Sequence, residues 1–470
     1  MRKDAPATKS EWVPTLAATG DSWATRFADA LAQDVATGRF APGDRLPTQR
    51  DLGRRLGVTT GTVNRGYAIA SRAGLITSEV GRGTFVTGSS APGIHDDGIA
   101  RGTTGAIDLA LNYPAGTEAE SALKKVLAHL ARRGSSAGLL GLAPYAGQPK
   151  ARETGARWLR QFHIAAKPED VLLCTSVQHG LAAALAALTA PGDVVLTEAL
   201  TSPGIKALAT LQHLRLVPIA GDDQGILPEA LVEARRSTGA RVLYTMPTLH
   251  TPTTTTMPDS RRRMIADVLR KENLTAIEDD AWGFLAAGKV APLRALAPDL
   301  VVYLTSFSKS LAPGIRVGYV VAPSSLQRSI ASCLGATTWP APLLVEVVGE
   351  WIKDGTAAAI VQRRIRHARE RQHLAETLLG PAIVRSGLPS FHCWLPLPEP
   401  WRVGDFVAHA SAHGVSLAST EAFVPGRAPT PHAIRLCTGT EPDRKRLETA
   451  LRVVASMLAS GPTGYSGPGV

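Results

Sequence analysis

Cysteine is scarce in this chain. Four occur in 470 residues, Cys174, Cys333, Cys393 and Cys437, and none forms a C-x-x-C pair or a zinc-type spacing. A disulfide scaffold and a cysteine-based metal centre are thereby excluded, and the four read as reduced core thiols. The twelve histidines form no H-E-x-x-H cluster, so no metal is expected. No stretch reaches the roughly 18 consecutive apolar residues of a membrane helix. The opening Met1-Arg2-Lys3-Asp4 runs into polar sequence without the apolar core of a signal peptide, which points to a cytoplasmic protein with no membrane contact.

What remains is an ordinary globular composition at considerable length. With 470 residues, 44% of them hydrophobic, two or three domains with sizeable cores are expected. The formal net charge of +11 favours an anionic partner, either nucleic acid or a phosphate ligand.

Residues 1–90 carry 12 Lys and Arg against 8 Asp and Glu, and place many of the arginines in a definite pattern. Phe27, Leu31 and Val35 recur at helical spacing after Trp23, and Gly38 with Pro42-Gly43 marks a stop. Thr48 can cap a helix through about Leu56, Gly57 turns the chain, and Thr59 caps a second helix that points Val63, Tyr67 and Ala70 inward. Residues 75–86 read as two strands around Gly81-Arg82-Gly83, a wing with an arginine at its tip. In a winged helix-turn-helix the second helix enters the major groove by its N-terminal residues, and a wing arginine can lie in the minor groove.

The spacing of Ala36, Gly38, Pro42, Gly43, Leu46, Pro47, Arg50 and Leu52, with Gly81-Arg82-Gly83-Thr84-Phe85-Val86 after it, resembles the GntR family of bacterial regulators over residues 23–87. The resemblance implies that Arg50 binds phosphate or base, that Thr59, Thr60, Gly61, Thr62 and Asn64 face the groove, and that Gly81 and Arg82 make the wing contact. Thr60 stands where that family often has arginine, which removes a bidentate guanine contact and implies a different operator. A DNA-reading domain is expected over 20–88, and a linker rich in turn formers over 89–106.

From Ile107 onward, β-branched runs at 171–173, 194–196, 242–243, 276–277 and 301–304 alternate with helical patterns. This predicts an α/β domain over 107–460 with a mostly parallel sheet and ligands at the strand ends. After the last run comes Ser306-Phe307-Ser308-Lys309-Ser310-Leu311-Ala312-Pro313-Gly314-Ile315-Arg316. Such a string suits an aldehyde cofactor that carries a phosphate: the Lys309 amine can form a Schiff base, while Ser306, Ser308 and Arg316 contact phosphate oxygens. Asp279 follows the run at 276–277 and offers a carboxylate to a pyridine nitrogen. Val177 and Gln178 open a helix whose amides suit an anion. Singly, these elements also read as a surface turn, a strand-end cap and an ordinary helix start.

Together they resemble the fold-type-I aminotransferases that depend on pyridoxal 5'-phosphate (PLP), whose lysine segment reads S-x-S-K-x-x-x-P-G-x-R-x-G. Lys309, Pro313, Gly314, Arg316 and Gly318 fall in register. The resemblance implies large and small subdomains, PLP held by Lys309, Asp279, Ser306, Ser308, Arg316, Val177 and Gln178, and an effector or substrate carboxylate gripped by Arg435. It also brings out departures. Thr251 replaces an asparagine that bonds the phenolate oxygen, Thr254 replaces a glycine, and Ser202 replaces the aromatic that stacks on the ring. With that aromatic gone, Trp282 or His179 is the candidate to take over the stacking, and Ala281 and Trp282 occupy the place of a tyrosine that bonds the phenolate oxygen. The arginines of 356–379 are expected on a solvated face, and 460–470 as a disordered tail.

A GntR-type reader ahead of an aminotransferase-like domain resembles the MocR subfamily over nearly the whole chain. This implies a cytoplasmic, nucleoid-associated transcriptional regulator that binds double-stranded operator DNA as a homodimer, often with domains exchanged. Its effector would be PLP itself or a PLP-reactive amino compound such as an amino acid. Two further readings stay open here: an active PLP-dependent aminotransferase, which the altered positions weaken, and a regulator whose pocket no longer binds PLP.

Overall fold

The computed structural model describes residues 12–16, 22–36, 39–40, 44–72, 75–79, 83–86, 106–115, 119–133, 137–286, 288–384, 386–426 and 430–464. They fall into two units, divided between Asp96 and Asp97. In the first, α1 (Trp23–Ala36), α2 (Gln49–Leu56) and α3 (Thr60–Arg72) precede an antiparallel pair, β1 (Ile76–Glu79) and β2 (Gly83–Val86). The local signals act as expected. Thr48 Oγ1 accepts the Asp51 N–H at 3.2 Å, Gly57 takes a left-handed φ of 65° to end α2, and Thr59 Oγ1 accepts the Thr62 N–H at 3.2 Å.

Tertiary packing completes this unit. Phe27 stacks between Trp23 and Tyr67 at 5.4 Å from each, and Trp12 meets its edge at 5.9 Å. Gly66 makes the approach of α1 to α3 possible, since a Cβ there would lie 2.8 Å from the Phe27 ring. Tyr67 gives its hydroxyl proton to Pro47 O at 2.7 Å, so its buried phenol is satisfied. One feature was not anticipated. Residues 44–46 join the wing, with Leu46 N donating to Thr84 O and Val86 N to Asp44 O, both at 2.8 Å. The wing tip with Gly81 and Arg82 lies outside the described residues.

The second unit opens with β3 (Ile107–Asp108) and centres on a seven-stranded sheet. Its strands are β4 (Val171–Cys174), β5 (Val194–Glu198), β6 (Arg215–Ile219), β9 (Val242–Thr245), β10 (Thr275–Asp279), β11 (Val301–Ser306) and β12 (Gly318–Val321), while β7 (Gly221–Asp222) and β8 (Gly225–Ile226) form a separate hairpin. The order is β4-β12-β11-β10-β9-β5-β6, parallel except for β12, which is antiparallel to both neighbours. The interior strands are buried on both faces, as their unbroken Val, Ile and Leu runs require. A smaller layer contains β13 (His392–Pro396), β14 (Val415–Ser416), β15 (Ala418–Ser419) and β16 (Ala433–Cys437), with helices Thr356–Leu379, Val403–Ala412 and Arg444–Gly464. It has its own core around Leu395, Trp401, Phe406, Ile434 and Leu447.

Two expectations need correction. The arginines of Thr356–Leu379 do not share one solvated face. Arg364 is fully buried and donates to Ala115 O and Leu311 O at 2.9 and 2.6 Å, and Arg371 binds the carbonyls of Thr438, Glu441 and Pro442. Buried carbonyls that need donors outweigh exposure of the charge. At the C-terminal end, 460–464 continue the last helix across a kink at Gly461, and 465–470 lie outside the described residues. Among the described residues no helix is long and apolar enough to cross a membrane.

Candidate functional site

The strand register gathers the predicted residues of the second unit. Ser306 pairs with Gly318, and Gly318 pairs with Cys174, so the ends of β11 and β4 lie on either side of the start of β12. The sheet is tight at this point: a Cβ on Gly318 would sit 2.6 Å from Thr305 O and 2.8 Å from the Ser306 Cβ. Two residues beyond Cys174, Ser176 caps the helix Val177–Leu188, its Oγ accepting the His179 N–H at 3.1 Å and its carbonyl the Gly180 N–H at 3.0 Å. The amides of this terminus that are left to an anion are those of Val177 and Gln178. Arg316, exposed and left-handed at φ 46°, lies near enough to act electrostatically on His179 and Cys174.

Ser306 and Ser308 are both buried, and the Ser308 Oγ has no hydrogen-bond partner. A buried hydroxyl left unpaired two residues after the end of β11 is what a phosphate oxygen would satisfy. Phe307 anchors the turn against Trp158 and Tyr319, which leaves Lys309 to project the other way. Its Nζ donates to the Asn112 carbonyl, lies 3.2 Å from the Tyr113 ring centroid and 5.1 Å from that of Trp282. Asn112 and Tyr113 were missed by sequence reasoning. They stand nearly 200 positions from Lys309, and no local spacing signals the contact.

Asp279 ends β10 and is 6% exposed. Its Oδ1 accepts the Ala281 N–H at 3.1 Å and its Oδ2 the Tyr244 hydroxyl at 2.8 Å. Burial pushes this carboxyl up to about 6, against the Tyr244 and Ala281 hydrogen bonds and the Lys309 charge. Trp282 is buried against Phe284, Phe391 and His392, and turns its ring, not a phenolic oxygen, toward the lysine. His179 is pinned at both ring nitrogens, by the Thr175 N–H at 3.2 Å and Thr337 Oγ1 at 2.8 Å, which binds it to its own surroundings.

Thr251 is buried in the loop after β9, joined to Pro252 by a cis peptide. His250 ties this loop to the residues after β5, with Nε2 3.0 Å from Leu200 O and Nδ1 2.8 Å from Thr253 Oγ1. Arg435 is 4% exposed, so it is not a solvated strand arginine. It donates from Nη2 to Ala110 O at 2.6 Å, lies 4.7 Å from the Phe423 ring centroid and keeps Nε unpaired. Burial, helped by the charges of Arg435 and Lys309, holds His392 neutral down to about 3. The residues present therefore fit PLP: an amine, a buried carboxylate, an unpaired hydroxyl and a helix N-terminus converge at the strand ends.

In the first unit, Arg50, Thr59, Thr60, Gly61 and Asn64 are exposed and Thr62 is half-buried, at the start of α2 and α3. Val63, Tyr67 and Ala70 face the core on the opposite side. One surface of α3 is thus exposed among the described residues of this unit.

The class defined by this geometry is a fold-type-I aminotransferase scaffold joined to a winged helix-turn-helix. Residues 104–454 match the class I and II aminotransferases, and residues 24–86 match the bacterial regulatory proteins of the gntR family. The chain belongs to the class I and II aminotransferase family and, with its gntR-family domain, to the MocR-type regulators. It is 26% identical over 454 residues to the HTH-type transcriptional regulator YdeF of Bacillus subtilis, covering 95% of this chain and 96% of that protein. It is 27% identical over 425 residues to the vitamin B6 salvage pathway transcriptional repressor PtsJ of Salmonella typhimurium, covering 89% and 94%. Among solved structures, LysN, the alpha-aminoadipate aminotransferase of Thermus thermophilus complexed with N-(5'-phosphopyridoxyl)-L-leucine, matches with a TM-score of 0.69 at 26% identity, covering 78% of this chain and 95% of that one.

Proposed function

We propose that this chain is a DNA-binding transcriptional regulator that holds PLP at Lys309 and, through it, senses PLP or an amino compound. The observation that carries the reading is the convergence of Lys309, Asp279 and the unpaired Ser308 hydroxyl at the strand ends, in a chain that also presents an exposed helix-turn-helix face. Likeness to a vitamin B6 salvage repressor supports it. When bound, PLP supplies an aldehyde, an electron-accepting ring and a phosphate. Lys309 contributes the amine. Ser306, Ser308, Arg316 and the Val177 and Gln178 amides hold the phosphate, Asp279 accepts the pyridine N–H, and Thr251 and Trp282 flank the ring. Arg435 takes an effector carboxylate. Arg50 and the α3 residues Thr60, Gly61, Thr62 and Asn64, with Thr59 before them and the wing residues Gly81 and Arg82, contact operator DNA in the cytoplasm.

Regulation then follows from linkage: an effector shifts operator affinity only by its preference for one arrangement of the protein over another. The expected assembly is a homodimer. Leu140 and Leu142 are 89% and 82% exposed, and Tyr145, Trp339 and Leu343 add apolar surface, more than an isolated subunit leaves in water without reason. Light scattering after size exclusion should give twice the chain mass. Ser202, Thr251 and Trp282, in place of groups that stack on or bond the ring, weigh against a working aminotransferase. Multiple turnovers on amino acids that disappear in Lys309→Ala would restore that reading.

The cofactor claim is tested by adding PLP to the purified full chain. An absorbance band near the visible edge that Lys309→Ala abolishes is expected, and no band in the unaltered protein would end the claim.

A further inference from the structure

In sequence, residues 107–115 come directly after the stretch 89–106 that follows the DNA reader. Ile107 and Asp108 pair with Val415 and Ser416 of β14, and Leu109 carries on, its amide donating to Ser416 O at 2.9 Å and its carbonyl accepting the Cys437 N–H at 2.8 Å. There the strand stops. Asp108 Oδ1 accepts the Ala110 and Leu111 N–H groups at 2.8 and 3.0 Å, an Asx turn that uses both amides and leaves the carbonyls to partners elsewhere in the fold. Those partners are Arg435 Nη2 for Ala110 O at 2.6 Å, Thr440 Oγ1 for Leu111 O and Lys309 Nζ for Asn112 O. Beyond the turn, the Ala115 amide donates to Gly439 O at 3.0 Å, and its carbonyl accepts from Arg364 Nη2 at 2.9 Å.

Two of these donors, Lys309 and Arg435, are the groups assigned above to PLP and to an effector carboxylate. The others take no part in that binding. A ligand shifts an equilibrium only as far as it distinguishes two arrangements of the protein. Here the distinction is direct, because ligand and segment draw on the same donors. Every two-pronged grip on a guanidinium includes Nη2, the nitrogen that donates to Ala110 O, and PLP claims the amine that donates to Asn112 O. We propose that residues 110–112 form a strap, fastened to Lys309 and Arg435 and released when PLP and an effector carboxylate claim them, which passes occupancy of the site to the chain before Ile107. The inference rests on the PLP reading given above and names the route by which that site acts on the reader. The ends of the segment stay fixed, at β14 and at Gly439, so the turn between them is the part that gives.

The test joins three measurements on the full chain with and without saturating PLP: the Lys309-dependent absorbance, backbone hydrogen exchange across 107–115, and affinity for a duplex spanning its own promoter. PLP should speed exchange at Ala110 and Leu111, while Leu109 and Ala115, bound to Ser416 and Gly439, stay protected. Asp108→Ala removes the acceptor of the turn and leaves Lys309, Arg435 and the reader unaltered. It should form the same band with PLP and exchange fast at 110–111 even without it. Its PLP-induced change in DNA affinity should fall from at least about fivefold to roughly twofold or less. Asp108→Asn keeps a side-chain acceptor and should restore the response. Thr440→Val, which frees the Leu111 carbonyl alone, should lower it by less. Exchange at 110–111 that PLP leaves unchanged or slows, or a full DNA response in Asp108→Ala, overturns the proposal. Should Asp108→Ala fail to fold by circular dichroism, the exchange result in the unaltered chain decides by itself. Absence of any Lys309-dependent band in the unaltered protein defeats the PLP reading itself, a result distinct from a band that forms while the strap stays protected.

Discussion

Thr254 holds a left-handed φ of 63°, a conformation that glycine adopts freely and a β-branched residue does not. Its hydroxyl donates to Thr253 O at 2.6 Å, a local compensation for the strained backbone. Thr254→Gly should therefore stabilise the chain by about 1 kcal/mol in denaturant unfolding. Gly318 is the reverse case. Its missing Cβ would meet backbone at 2.6 Å, and backbone cannot step aside as a flexible side chain can. Gly318→Ala should destabilise by about 2 kcal/mol or more and separate Ser306 from the Val177 helix terminus. An unchanged midpoint would show that β11 and β4 tolerate wider spacing there.

Caps and turns acted as their residue types predict, because they are settled within four residues of chain. Thr48, Gly57 and Thr59 each occupy the position that the sequence pattern assigns. Thr48→Ala should cost the first unit about 1 kcal/mol. Arg50 lies exposed in α2 beside this cap. If it touches a phosphate, Arg50→Ala should weaken binding of duplex DNA and lower the slope of log affinity against log salt by about 0.9, measured by fluorescence anisotropy. Unchanged slope would remove it from the interface. Less legible were elements that depend on partners distant in the chain. Nothing in the run at 44–46 announces its bridge to β2, and the antiparallel course of β12 is set by its two neighbours.

Across the whole molecule, the segments around Lys309, Asp279 and Val177 could be singled out in the sequence because each motif carries its own chemistry, and the strand ends place them on one sheet. The surroundings were not, since Asn112 and Tyr113 reach Lys309, and Ala110 reaches Arg435, only through folding. The same burial sets a pH response. Folded His392 stays neutral down to about 3, below its ordinary 6.5, so between those values the unfolded chain binds a proton that the folded one refuses. Its contribution thus diminishes stability as pH falls from 6.5 toward 3. Glu278 and Asp279, raised by burial to about 7 and about 6, oppose this by taking up protons earlier when folded. His392→Asn should therefore gain on the unaltered protein steadily below pH 6.5 in urea unfolding. A constant difference down to about pH 4 would contradict the assignment.

The central claim is that the state of Lys309 reaches the DNA reader. It is tested most directly by the affinity of the full chain for a duplex spanning its own promoter, with and without saturating PLP, in the unaltered protein and in Lys309→Ala. The predicted result is a PLP-dependent change in affinity, in either direction, that Lys309→Ala removes while its own DNA binding persists. Equal affinity with and without PLP in the unaltered protein, at concentrations where the Lys309-dependent band is complete, would contradict it.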